Sequence, residues 1–287
     1  MPRIVSIFIV LFVLAGSPVA RAQSYFTINE YGFTAGASQY FGDLNQNYGI
    51  KTIAPAYGGY LRRRMSNYIA LKLVANYTNI GYDDKYNKVP YEVQRNLNFK
   101  SVVYEGAIQA EFNFFKFVTG DPYFRFTPYL TGGVGMFYYN PTTTYKGVQY
   151  DLKPLGTEGQ NAGYDNRKYS NFAACFPIGA GVKYWIKGGI NVSFEIADRI
   201  TTTDYIDDVS TTYVGADKFK PASISNPSRA LQDRSSEVTG GILGKAGKQR
   251  GNASNYDQYM MATFSISFNF KTYRCPQALN DDYIKTY

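Results

Sequence analysis

Apolar and polar residues alternate along most of this chain. Over 68–79, Ile69, Leu71, Leu73, Ala75 and Tyr77 share one parity, and Ala70, Lys72, Asn76 and Thr78 the other. Over 98–115, Val102, Tyr104, Ile108, Ala110, Phe112 and Phe114 oppose Ser101, Glu105, Gln109, Glu111 and Asn113. The stretches 191–199 and 260–270 repeat the pattern, and 28–41, 55–65, 126–140 and 171–187 carry weaker forms of it. A period of two puts successive side chains on opposite faces of a strand, so eight strands are predicted. The polar parity holds small and charged residues: Gly32, Thr34, Gly36, Ser38, Lys72, Glu105, Glu111, Gly179, Gly181, Lys183 and Glu195. Long strands with an apolar, aromatic outer face and a polar inner one predict an all-β fold, an eight-stranded antiparallel transmembrane β-barrel. A soluble lipocalin-like barrel, which reverses the faces, is the alternative.

Composition supports the membrane form. Of 287 residues, 28 are Tyr and 20 Phe, and charged residues are 18 %. Amphipathic rings belong in belts at the two membrane interfaces. The connections alternate in length: near 65–67, 116–125 and 187–189 they are short, and near 42–54, 80–97, 141–170 and 200–257 they are long. Outer-membrane barrels have short periplasmic turns and long extracellular loops, so both termini are expected in the periplasm. The loop at about 200–257 is too long for bare coil and is expected to carry structure or function of its own. Eight strands enclose a lumen that side chains just fill. Lys72, Glu105, Glu111, Lys183 and Glu195 are therefore expected to pair inside it, which disfavours an open porin.

The first 22 residues read as a secretory signal peptide. A short basic start is followed by an apolar run over 4–15, and Ala20-Arg21-Ala22 forms a small-x-small site cut between Ala22 and Gln23. The run is too short for a membrane helix, which needs about 20 residues. The barrel is then expected over 23–270, followed by a periplasmic tail at 271–287.

Candidate chemistry is sparse. Without His there is no Ser-His-Asp or Cys-His pair and no His-ligated zinc. The segment Gly240-Gly241-Ile242-Leu243-Gly244-Lys245 lacks the first Gly and the Ser/Thr of a phosphate loop. Asp204, Asp207 and Asp208 lack EF-hand spacing and read as an external turn bonding its own backbone. No catalytic residue, metal or cofactor is expected, and the protein is not read as an enzyme. The formal charge of +8 is scattered, so nucleic acid is not expected as a partner. Arg62, Arg63 and Arg64 close a periplasmic turn, placed to meet lipid headgroups or a periplasmic partner. Residues 245–250 read as a basic, flexible loop end. Cys175 and Cys275 fall at opposite ends of the barrel, too far apart for a disulfide. Cys175 reads as a small buried hydrophobe, and Cys275 as a candidate for an intermolecular disulfide. The tail around Cys275 has aromatic anchors, Tyr273, Tyr283 and Tyr287, suited to binding a periplasmic protein as an extended segment.

Several segments carry a resemblance. They are Glu30-Tyr31-Gly32 with Gly36, then Tyr40-Phe41-Gly42-Asp43-Leu44-Asn45, and Thr127-Pro128-Tyr129-Leu130 with Gly133, Gly135, Asn140 and Pro141. Residues 152–160 (LKPLGTEGQ), 177–184 (PIGAGVKY), 203–210 (TDYIDDVS) and Arg250-Gly251-Asn252 continue it. In order and spacing the chain resembles a Bacteroidota barrel family related to PorG, an outer-membrane component of the type IX secretion system. The resemblance implies a non-enzymatic anchor that ties a periplasmic lipoprotein ring (PorK and PorN, or GldK and GldN) to the outer membrane, in secretion and gliding. It places the contacts on the periplasmic face: 23–29, Arg62–Arg64, 116–125 and the tail. The alternative is a ligand-binding or adhesion barrel that works through its extracellular loops, above all 200–257.

Overall fold

The computed structural model describes residues 26–221, 223 and 226–273. It divides the chain into two compact units, 29–270 and the flanking 1–28 with 271–287. Within the flanking unit the described residues are the first of the opening strand and the last of the closing one.

Nine strands form one antiparallel sheet. They are β1 (Phe26–Phe41), β2 (Ala54–Arg64), β3 (Ile69–Asp83), β4 (Asn98–Asn113), β5 (Phe126–Tyr145), β6 (Val148–Asp151), β7 (Phe172–Lys187), β8 (Ile190–Thr201) and β9 (Gln258–Tyr273). The order is β4-β3-β2-β1-β9-β8-β7-β5, and β4 also pairs with β5. The sheet thus closes on itself as an eight-stranded barrel, which leaves no open edge in the barrel wall itself. The ninth strand departs from the eight expected. β6 folds back on the last residues of β5, Thr142–Tyr145, and extends the wall beyond the barrel. The length of the connection was legible in the sequence; a four-residue hairpin arm inside it has no periodicity to show. β9 also runs to Tyr273, past the Phe270 at which the last strand was expected to end.

The faces divide as the alternation predicts. Leu61, Leu71, Leu73, Ile108, Leu130, Val134, Ile178, Ile196 and Ile266 all lie exposed on the outer surface. In a soluble protein this apolar wall would be an enormous exposed patch. In a bilayer it is the required surface, so the barrel is a membrane-spanning one and the lipocalin-like alternative is excluded. One aromatic row makes its upper limit visible. Tyr57, Tyr77, Tyr104, Tyr138 and Phe172 are direct cross-strand partners around five strands. Their rings touch at 5.1, 6.4 and 5.2 Å along the last three steps. From Tyr104 to Phe112 the strand climbs about 27 Å, somewhat less once tilted, which matches an apolar band of about 25 Å.

The lumen holds two layers. At the short-turn end and centre it is charged. At the long-loop end the inward positions become apolar: Tyr40, Ala56, Ile80, Phe99, Val103, Phe137, Tyr139, Tyr259 and Met261 are buried together. Leu44, Leu97, Leu152, Ile206, Val209 and Leu231 descend on them from the loops. The hydrophobic core therefore sits where the barrel meets its long loops, because only there can side chains from the loops cover inward-facing apolar residues.

Candidate functional site

The charged layer of the lumen is a matched set. Four carboxylates, Glu30, Glu105, Glu111 and Glu195, face four cations, Arg62, Lys72, Lys183 and Arg199. Each comes from an inward parity position on a different or adjacent strand. Arg62 bonds Glu30 at 2.6 Å and sits 2.9 Å from Glu111. Lys183 bonds the other oxygen of Glu111. Lys72 bonds Glu195 at 2.7 Å, and Tyr129 donates to the same carboxylate at 2.9 Å. Arg199 reaches Glu105 at 3.1 Å, where Tyr259 also donates at 2.7 Å and Asn76 at 2.9 Å. Ser267 donates to Glu30. Aromatic faces fill the gaps, with Arg62 over Tyr60 at 4.7 Å and Lys183 between Phe117 and Tyr129. A cavity of about 20 Å³ among Tyr60, Lys72, Asn76, Tyr129 and Glu195 has room for a single water. Opposite charges at hydrogen-bond distance are how buried ions become tolerable, and this set carries no net charge. The result is a plug.

Above the plug, the four long connections form a folded cap. Arg95, from 84–97, clamps Asp84 through two bonds of 2.8 and 2.7 Å and donates to the carbonyls of Asp43 and Arg250. Arg250 bonds Glu158 at 3.0 Å and the Asp208 carbonyl at 2.6 Å. Glu158 accepts from the backbone of Ser210 and Thr211 and from the Thr211 hydroxyl. Asp43 accepts from the Asn252 backbone. Tyr169 stacks on Tyr205 at 4.6 Å and donates to Asp208 at 2.7 Å, where Thr157 also donates. Residues from all four connections meet within these bonds, so the loops act as one body.

The cap contains more acid than base. Tyr40 lies 2.6 Å from Asp207 and 2.8 Å from Asp257, while Asp204 is 5 % exposed with the Ser210 side chain beside it and no ion pair among the described residues. Burial pushes Asp207 and Asp257 well above the usual carboxylate range, and their neighbours' charges push further. Burial raises Asp204 to about 9 and Asp43 to about 6. Asp208 also rises to about 6 through burial, with Arg250 holding it back. Among the described residues, no three His, Cys, Asp or Glu converge to hold a metal ion.

Several expectations need correction. Arg62 was expected at a partner-facing turn, but it is 4 % exposed and locked into the plug, because its parity on β2 points inward. Arg63 is exposed, and Arg64 donates to the Phe117 carbonyl at 2.9 Å. Asp204, Asp207 and Asp208 do form a local turn, with Asp207 accepting from Val209, yet all three are buried rather than solvated. Arg250 is a buried anchor, not part of a free basic end. Cys175 is a fully buried free thiol, as expected. Tyr273 closes β9. Cys275, Tyr283, Tyr287, Ala22 and Gln23 lie outside the described residues. The sequence reading missed Glu30, Arg62 and Arg199 as plug members, although each lies an even number of residues from an inward-facing neighbour, Gly32, Tyr60 and Glu195. It also missed Asp43, Asp84, Arg95 and Glu158, which stand in loops where no period marks burial.

No curated protein matches this sequence. Solved structures similar to it are small bacterial surface barrels. The attachment invasion locus protein Ail of Yersinia pestis is 8 % identical with a TM-score of 0.41, the alignment covering 85 % of this chain and 99 % of Ail. Neisserial surface protein A is 11 % identical with a TM-score of 0.37, over 86 % and 98 %. The N-terminal β-barrel domain of Pseudomonas aeruginosa OprF is 13 % identical with a TM-score of 0.35, over 85 % and 97 %. Residues 5–226 match the model of the family described as Domain of unknown function (DUF6089), and the chain belongs to that family.

Proposed function

We propose that this protein is a non-enzymatic barrel of the bacterial outer membrane that serves as an anchor. The single observation behind this reading is the neutral, fully paired plug beneath a folded cap, which leaves no path for solute. A barrel closed at its centre can work only through its two ends and its lipid-facing wall. The sequence resemblance names the end. By analogy with the PorG-related family, the periplasmic face would hold a lipoprotein ring of the PorK/PorN or GldK/GldN type, within type IX secretion and gliding. Both termini are then periplasmic. The contacts would be Arg63 and Arg64, the 114–125 turn with its exposed Tyr123, and the tail containing Cys275, Tyr283 and Tyr287. Cys275 would supply a covalent contact with a partner, so Cys275→Ser is compared with wild type on non-reducing gels, and identical bands would remove that contact.

The main test is affinity purification of the tagged protein from outer membranes in mild detergent. Ring lipoproteins should co-purify, and deletion of 274–287, which spares β9, should release them while the barrel stays inserted. A lone barrel from wild-type cells would refute the anchoring role. A second reading, surface binding through the cap, draws on the rigidity of the loops. Under it, trimming 215–249 abolishes function while periplasmic contacts persist.

A further inference from the structure

The Tyr40 hydroxyl counts protons. It lies 2.6 Å from an Asp207 oxygen and 2.8 Å from an Asp257 oxygen, and all three side chains are fully buried. A phenol has one hydrogen and can donate it to one carboxylate. The second short oxygen–oxygen contact needs a hydrogen of its own, which only a protonated carboxyl can supply. The outer oxygens of both acids are already spoken for. Asp207 accepts from the Val209 backbone at 2.9 Å and Asp257 from the Ile206 backbone at 2.8 Å. So the proton belongs on the oxygen that faces Tyr40.

The surroundings offer no cation in its place. Facing the pair are Asp43 from the connection after β1, and Arg95 from 84–97, whose charge reaches Asp207 while its bonds go to Asp84. Tyr139 faces it from β5, Tyr169 from 152–171 and Asp204 from 202–257, while Arg250 and Glu158 face Asp208, the next residue after Asp207. The two guanidiniums are committed to Asp84 and Glu158. Asp43, Asp204, Asp207, Asp208 and Asp257 have no ion pair among the described residues. Asp204 adds the independent sign: a carboxyl 5 % exposed, with the Ser210 side chain beside it and no ion pair among the described residues, is stable there only when neutral.

We propose that the cap is closed by a proton shared in the Asp207–Tyr40–Asp257 bridge, and that its loss at alkaline pH opens the cap while the barrel stays folded. The closed cap binds more protons than the open one. Closure is therefore fully favourable below the ordinary carboxyl range and weakens about tenfold per pH unit above it, until the bridge itself has titrated.

The test is amide hydrogen exchange of 203–210 and 250–258 in the full-length barrel in lipid, corrected for the intrinsic pH dependence of exchange. Protection should fall steeply between about pH 6 and pH 10, while the strand amides of β3 and β4 stay protected. Asp257→Asn supplies the bridging hydrogen permanently, since its amide donates to Tyr40 and its carbonyl still accepts from Ile206. Its cap should stay closed with a flattened pH profile, and Asp207→Asn should do the same. Infrared spectra of the wild type should show a protonated carboxyl at neutral pH, a measurement that needs no variant. Three results would overturn the proposal. These are wild-type protection indifferent to pH, an absent carboxyl band, or protection that calcium restores and a chelator removes at constant pH. The last would mean that a metal, not a proton, balances the charge.

Discussion

Removing the Glu111 charge tests the plug. Glu111→Gln keeps the shape of the side chain but takes the one carboxylate bonded to Lys183 among the described residues, and one of the two beside Arg62. The lumen then holds one uncompensated cation at a site where Lys183 is 2 % exposed. Breaking a buried pair from one side costs about 3–5 kcal/mol, because the remaining charge has lost both water and partner. The lower end applies here. Arg62 keeps Glu30, and Lys183 keeps the faces of Phe117 and Tyr129 at 5.1 and 5.2 Å. About 3 kcal/mol is a large part of the roughly 5–15 kcal/mol that a folded domain has in hand. The paired variant Glu111→Gln with Lys183→Met removes both charges, and should return to within about 1 kcal/mol of wild type, since apolar replacement of a buried pair is often neutral. Trp185, the single tryptophan, lies on β7 two residues from Lys183 and reports urea unfolding from lipid vesicles. A cost below about 1 kcal/mol for the single variant, or a double variant as weak as the sum of both singles, would refute charge pairing as what holds the plug.

Four other outcomes follow from the same geometry. Ile108→Arg, in the middle of the apolar band, should weaken membrane folding by about 2–4 kcal/mol, whereas Tyr104→Arg in the belt should cost only about 0–1 kcal/mol; equal costs would contradict the membrane depth assigned to β4. Arg95→Met strands the fully buried Asp84, so proteases should cut within 84–97 while the barrel keeps its heat-modifiable mobility on gels. In planar bilayers the wild type should show no steady ion conductance, and stable open channels would overturn the plug. Asp204→Asn should raise unfolding resistance at pH 8 and leave it unchanged near pH 4. The folded carboxyl titrates at about 9, above its ordinary value of about 3.9, so wild type loses stability as pH rises between the two and the amide does not.

The barrel was legible because its physics is periodic. Each strand must show lipid one parity and the lumen the other, so Leu71 and Leu73 against Lys72 already state the orientation of β3. The plug was half legible for the same reason. Lys72, Glu105, Glu111, Lys183 and Glu195 sit in clean alternation, whereas Arg62 lies in a run of three arginines that masks its parity, and Glu30 stands beside aromatics of both faces. The apolar upper lumen was illegible. Tyr40, Phe99 and Tyr139 occupy polar-parity positions as apolar residues, and only knowledge of the descending loops explains them. Nothing periodic marks the cap either. Asp43, Asp84, Arg95 and Glu158 read as ordinary solvated loop charges until their partners, more than 50 residues distant for Glu158 and Ser210, are in place.

The two layers make different demands on charge. In the plug, every acid has a base at ion-pair distance, so the set carries no net charge without protons taken from outside. The cap has acids in excess, and its neutrality depends on protons taken from outside. A barrel built only as a membrane rivet would have no reason to treat its two polar layers differently. The plug separates the short-turn end from the capped end, while the cap is the part of the molecule whose stability varies with the medium around it. If the periplasmic end carries the anchoring role, changes in the cap should leave ring binding untouched. Asp257→Asn, with its cap held closed, should therefore recover as much of the ring lipoproteins as wild type at both neutral and alkaline pH. Ring recovery that tracked cap opening would instead mean that the plug transmits a change between the ends, and the view of a rigid divider would have to be abandoned.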